Sequence, residues 1–263
     1  MTAIMVRTLR AEWAKLRSSR SLVWTLLATV GCTLALTAFL TAVGHTDATR
    51  AGEGDDDVVV NALFGVQLGQ IAVVSFGALM IAPEYATGMI RTTLTSTPSR
   101  GMVFAGKAAL VGTAAGAAGL VASVGSFLIA QPLLHGGGYV PPAYQIVSLG
   151  DADVLRAVLG TGLFLTLLAL FAFGLGALIR HTSTAITLAI GAVLLPTVLG
   201  GFLAGGIRDL ILQASPVAGV AIQATRERQV GPPIAPWAGI GVTLAWAAAA
   251  LLAAFCAFRV RDV

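Results

Sequence analysis

The run LRAVLGTGLFLTLLALFAFGLGALI, residues 155–179, decides the fold class. Its one charge, Arg156, stands at the second position, and no other follows before Arg180. A helix that crosses a bilayer needs roughly 20 consecutive apolar residues, and this run supplies them. Five more runs meet the same requirement: Leu22–Val43, Val58–Ala82, Met102–Ala130, Ala185–Gly206 and Pro236–Phe258. The composition agrees. Hydrophobic residues make up 57% of the 263, charged residues 11%, and mean hydropathy is +0.88. A soluble domain needs far more charge to cover its surface. The expected fold is therefore an all-α integral membrane protein with a single six-helix domain over residues 22–258.

The loops set the orientation. With the N-terminus inside, eleven Lys and Arg residues fall on the cytoplasmic side: Arg7, Arg10, Lys15, Arg17, Arg20, Arg91, Arg100, Lys107, Arg180, Arg259 and Arg261. Five fall outside: Arg50, Arg156, Arg208, Arg226 and Arg228. The positive-inside rule then places both termini in the cytoplasm, with residues 259–263 a cytoplasmic tail. The net charge of +4 is spread between apolar runs and does not form a basic patch interleaved with aromatics, so nucleic acid is not the expected partner. Arginine supplies fourteen of the sixteen cations. Together with abundant Ala and Gly, this is the composition of a GC-rich bacterial genome, and the expected location is the cytoplasmic (inner) membrane.

Residues 1–21 read as an amphipathic helix in the headgroup plane. Met5, Leu9, Trp13 and Leu16 share one face, with Arg10 and Arg17 flanking it. A cleaved lipoprotein signal ending at Cys32 is disfavoured, because Thr29 stands where Leu is wanted and the apolar run continues to Val43. Cys32 and Cys256 lie inside apolar runs and read as small hydrophobes. His45, His135 and His181 are too far apart in sequence to suggest a metal site. Between the last two spans, Ile207–Gln223 is partly apolar but broken by Pro216. It reads as a short helix pair dipping into the outer leaflet, within an outer region 207–235.

The apolar cores hold no Asp, Glu, Arg or His, and Lys107 reads as an interfacial anchor near a cytoplasmic end. A proton-coupled carrier keeps ionisable groups at membrane depth, so a secondary carrier is disfavoured. No arrangement of nucleophile and base, or of paired carboxylates at depth, suggests an enzyme. The stretch Gly101–Ala108 nearly matches a P-loop, but Ala108 replaces the required Ser or Thr and no soluble strand precedes it. In the third span Gly112, Gly116, Gly119, Ser123 and Ser126 form a small-residue seam, suited either to helix packing within the chain or to a subunit interface. Gln67, Gln70 and Ser75 are the most polar positions of the second span; they either line a cavity or bond to neighbouring helices.

The most distinctive piece is the cytoplasmic loop 83–101. Pro83 suits a helix start and Glu84 its first turn. A helix onward from there would place Glu84, Gly88 and Arg91 on one face. The pattern Glu84-Tyr85-x-x-Gly88-x-Ile90-Arg91-x-x-Leu94, followed by Pro98-x-Arg100 and Lys107, resembles the permease subunits of type-2 ABC exporters. The amphipathic N-terminal segment, the six spans and the length extend that resemblance over essentially the whole chain; Met89 departs from the Thr common in that family.

The resemblance implies a half-transporter that pairs with itself, or with a sister permease, and binds two copies of a separate ATPase subunit. Glu84, Tyr85, Gly88, Arg91, Leu94 and Arg100 would then form the coupling element that docks on the ATPase. Glu12, Trp13, Lys15 and Arg17 would belong to the interface helix, and Gln67, Gln70, Ser75, Gly112 and Gly116 to a cavity or dimer interface. ATP and magnesium would be bound by the partner, and this chain would bind no cofactor. The expected substrate is hydrophobic or amphiphilic. A non-transporting membrane scaffold or sensor subunit is the rival class.

Overall fold

In a computed structural model of the chain, residues 2–43, 57–89, 100–136, 147–226 and 232–260 are described. The amphipathic N-terminal segment forms α1 (Thr2–Ser18), and only Ser19 separates it from α2 (Arg20–Val43). The second apolar run is divided into α3 (Val58–Ala62), α4 (Val66–Leu79) and α5 (Ala82–Ala86). Then come α6 (Arg100–Gly136), α7 (Ala152–Ile179), α8 (Thr182–Phe202), α9 (Gly206–Ala214), a 3-10 segment (Pro216–Gln223) and α10 (Pro236–Val260). No strand occurs among the described residues. Six stretches are long and apolar enough to cross a membrane: Arg20–Val43, Val66–Ala86, Gly101–Leu134, Ala152–Ile179, Thr182–Phe202 and Pro236–Phe258. All six correspond to runs read from the sequence.

The run that decides the fold class is also the centre of the bundle. α7 packs against α4, α6, α8, α10 and the 3-10 segment, and it is the most buried of the spans. Small residues let the backbones close on it. A Cβ on Gly77 of α4 would collide with the Ala169 carbonyl of α7, and one on Gly174 of α7 would press on Ala250 of α10 at 2.7–3.0 Å. Apolar side chains gain little from leaving lipid, so this close packing carries much of the association between helices. Phe104 of α6 fills the space among α6, α7 and α10, with ring centroids 5.3 Å from Phe173 and 5.9 Å from both Phe255 and Phe258.

Three boundaries differ from the sequence reading. The second span is not one helix over Val58–Ala82: the chain turns at Leu63–Gly65 and again at Met80–Ile81. The first break lies where Gly65 is pressed against the Thr33 carbonyl and Thr37 of α2, a site with no room for a side chain. The fifth span ends at Phe202 instead of Gly206, because Leu203 is extended and Gly205 takes a left-handed φ of 67°. The third span reaches 37 residues with Pro132 in its last turns. At 1.5 Å per residue it is about 55 Å long, well beyond a hydrocarbon core of roughly 30 Å.

Two polar features organise the bundle. Thr29, Thr33, Thr37 and Thr41 recur every fourth residue on the buried face of α2. Thr29, Thr33 and Thr41 return their hydroxyls to carbonyls one turn back at 2.6–2.9 Å, which leaves their methyl groups to pack. Thr37 reaches across to Ser126 Oγ of α6 at 3.2 Å. The second feature is the 3-10 segment, all eight residues of which are buried. Thr243 of α10 secures it by donating to the Pro216 carbonyl at 2.8 Å and accepting from Gly219 N–H at 3.0 Å. Residues 207–223, read from the sequence as a short helix pair, are one α-helix followed by this buried 3-10 segment.

At the end of the bundle where α7 begins, Asp57 caps α3 by accepting from the N–H groups of Val59 and Val60. The same carboxylate accepts from Thr225 N–H at 2.6 Å, Thr225 hydroxyl at 2.9 Å and Arg226 N–H at 3.1 Å. Arg156 donates to the Ala224 carbonyl at 2.6 Å and pairs with Asp153 at 3.0 Å. The chain leaving the 3-10 segment is thus clasped to both α3 and α7.

Candidate functional site

At the opposite end, where α7 stops at Ile179, four charged side chains meet. Glu12 and Lys15 come from α1, three residues apart and therefore on neighbouring positions of one helical face. Glu84 lies in the first turn of α5, where Pro83 suits the helix start and a negative charge complements the dipole. Lys107 lies two turns into α6. Lys107 Nζ is 2.6 Å from Glu12 Oε2 and 2.7 Å from Glu84 Oε1. Lys15 Nζ is 3.2 Å from Glu84 Oε1 and 3.4 Å from Glu12 Oε1.

Two carboxylates and two ammonium groups sum to zero, and that neutrality makes the burial tolerable. The Lys107 side chain is 1% exposed, Glu12 3% and Glu84 11%. An unpaired buried charge costs several kcal/mol, whereas a well-bonded pair roughly recovers its desolvation. Lys15 is the wetter member. Burial by itself would lower its pKa, but the carboxylates of Glu84 and Glu12 outweigh that and hold it above its ordinary value near 10.5. Glu84 Oε2 is buried without a protein partner. Beside the cluster, the Arg180 guanidinium stacks 4.8 Å over the Tyr85 ring. Arg180 ends α7 with a left-handed φ of 59°, and its N–H bonds back to the Gly176 carbonyl.

The arrangement joins three parts that sequence places far apart: the N-terminal helix, the elbow after the second span, and the start of the third. Ion pairs from Glu84 to Lys15 and Lys107 thus tie α5 to α1 and α6. Lys107 is accordingly not an interfacial anchor extended toward headgroups; it is the hub of the cluster. Glu84 and Lys107 stand near the ends of the second and third apolar stretches, Val66–Ala86 and Gly101–Leu134.

Other predicted residues sort as follows. Glu84 faces inward, and α5 stops at Ala86 with Gly88 at φ 71°. Glu84 and Gly88 therefore do not share one helical face. Thr87, Gly88 and Met89 are exposed beyond the break. Arg91 and Leu94 lie outside the described residues, and Arg100 begins α6. On α1 the expected stripe divides: Leu16 is buried beside Glu12, whereas Trp13 and Arg17 are exposed. Gln70 is buried and donates to Gln67 Oε1 at 2.8 Å, and Ser75 donates to the Ile71 carbonyl of its own helix. Gly112 and Gly116 face Leu170 and Thr166 of α7, so packing inside the chain occupies this part of the seam. Gly101–Lys107 runs as continuous helix in α6.

Sequence reasoning missed the cluster, although one signal was present. Of sixteen cations only two are lysines, and both converge here. Among the described residues no group of three or more His, Cys, Asp and Glu could hold a metal ion, and Cys32 and Cys256 are both free.

Six helices able to cross a membrane, with a neutral charge cluster at one end, are the makeup of a multi-pass membrane protein. No protein-family model matches the chain, and no curated protein matches it.

Proposed function

We propose that this chain is the membrane-spanning permease subunit of a type-2 ATP-binding cassette exporter, working as a pair with two copies of a separate ATPase. The observation that carries the reading is the Glu12–Lys15–Glu84–Lys107 cluster. A permease without catalytic residues must receive its energy through contact, and contact is useful only if it moves the spans. The exposed residues following α5 offer the contact, and the cluster carries the displacement to α1 and α6. In this role Glu84 acts inside the permease, as a link between the docking element and the spans. Arg91 and the residues around it remain the candidates for touching the ATPase.

The same reading puts both termini on the cytoplasmic face of a bacterial inner membrane; an even number of crossings keeps them on one side, and the excess of Lys and Arg in the loops of that side supports the choice of face. The substrate is a hydrophobic or amphiphilic molecule. ATP and magnesium belong to the partner chain.

Purification of the tagged protein from native membranes in mild detergent, with mass spectrometry of its companions, tests the proposal. The expected result is a stoichiometric P-loop ATPase that Arg91→Glu releases. Absence of any such ATPase under the gentlest extraction contradicts it.

A further inference from the structure

Between α1 and α6 runs a groove of about 450 Å3 bordered by Leu9, Arg10, Trp13, Ala109, Leu110 and Thr113. We propose that it holds an acyl chain of an anionic phospholipid whose headgroup rests on Arg10. This goes beyond the transport reading and is independent of any ATPase.

Chemistry selects the occupant. The wall is apolar apart from the Thr113 hydroxyl, which is returned to the Ala109 carbonyl at 3.0 Å and so offers little to a polar ligand. At the rim stand one cation, Arg10, and one indole, Trp13, which is 52% exposed. An indole with an apolar body and a polar N–H suits the level of lipid headgroups. The field is also one-signed. The acid of α1, Glu12, is turned into the buried cluster and neutralised by Lys107 and Lys15, whereas Arg10, Arg17 and Arg20 are exposed. Basic sites between membrane helices on the cytoplasmic side favour anionic headgroups in this way.

Geometry gives the depth. Ala109 to Thr113 lie roughly 13–20 Å along α6 from its start at Arg100, at 1.5 Å per residue. With the excess of α6 over a hydrocarbon core of roughly 30 Å shared between its two ends, the bilayer begins roughly 12 Å into the helix, next to these residues. Lys107, two residues before the groove, fixes α1 against α6 through Glu12, so the groove has one rigid wall pinned to the other.

The test uses the full chain with Trp24, Trp237 and Trp246 replaced by Phe, leaving Trp13 as reporter. In phosphatidylcholine vesicles containing a minority of phosphatidylglycerol, bromine is carried on the acyl chains of one lipid or the other, and quenching per mole is compared. A single arginine near an anionic headgroup predicts a roughly fivefold preference for brominated phosphatidylglycerol. Arg10→Gln, at an exposed position outside the cluster, removes the preference. Ala109→Ile, also at an exposed position, fills the groove and lowers quenching by both lipids. Equal quenching by the two lipids, a preference that survives Arg10→Gln, or quenching indifferent to Ala109→Ile overturns the proposal.

Discussion

Lys107 Nζ lies 2.6 Å from Glu12 Oε2, joining residues 95 positions apart in the chain, and the same ammonium lies 2.7 Å from Glu84 Oε1. A buried cation shared by two carboxylates cannot be removed without leaving like charges together. Lys107→Met should therefore destabilise the folded protein by about 3–5 kcal/mol, the scale for breaking a buried pair. Thermal unfolding in detergent reads this as a large drop in Tm. Replacing all four members together, Lys107→Met and Lys15→Met with Glu12→Leu and Glu84→Gln, should recover most of the loss, because no uncompensated buried charge then remains.

Lys15 gives the pH dependence its sign. Its folded pKa is raised above 10.5 by Glu84 and Glu12 against the opposing effect of burial. Its contribution is therefore complete below about 10.5 and is lost as pH rises through the higher folded value. Tm of the wild type should exceed that of Lys15→Met by a constant margin from neutral pH upward, and the margin should shrink only in strongly alkaline buffer.

Thr243 holds the buried 3-10 segment at two points, as donor to Pro216 and acceptor from Gly219. Thr243→Val keeps the shape but leaves the Gly219 N–H unpaired, at a cost of about 1–3 kcal/mol. Hydrogen exchange should show faster exchange in residues 216–223 than in α7.

Gly77 approaches α7 so closely that any side chain meets the Ala169 carbonyl. Gly77→Val must push α4 from α7 and should lower stability by about 1–3 kcal/mol or more. Gly31, with open space at its Cβ position, is the control: Gly31→Ala should be neutral or slightly stabilising, as helix propensity requires. Paired thermal melts in one detergent check both.

The spans were legible because a bilayer imposes a length and a composition that a local run of residues either meets or fails. That residues 2–18 are helical and that the chain breaks at Pro216 were legible for similar local reasons. The cluster was not, because its members come from three elements and each has an adequate local explanation: Lys107 as an anchor, Glu84 as a helix-start acid, Glu12 as one charge on an amphipathic helix. Glu84 and Gly88 part company because α5 ends at Ala86 and Gly88 takes a left-handed φ, a backbone choice that a pattern of faces does not anticipate. Thr29, Thr33, Thr37 and Thr41 stand in an apolar run with no local signal that sets them apart. Their significance emerges only once Gly65, Gly69 and Ser126 are found packed against them.

The central claim is that the buried cluster carries displacement from a partner ATPase to the spans. Its most direct test is to reconstitute the chain in liposomes with the ATPase that the proposal expects to co-purify, and to record ATP hydrolysis and substrate efflux together. The quadruple variant Lys107→Met, Lys15→Met, Glu12→Leu, Glu84→Gln separates coupling from stability, because it leaves no unpaired buried charge in the cluster and its Tm is measured alongside. The account predicts that this variant hydrolyses ATP while efflux falls to background. Efflux at the wild-type rate per ATP hydrolysed would contradict it.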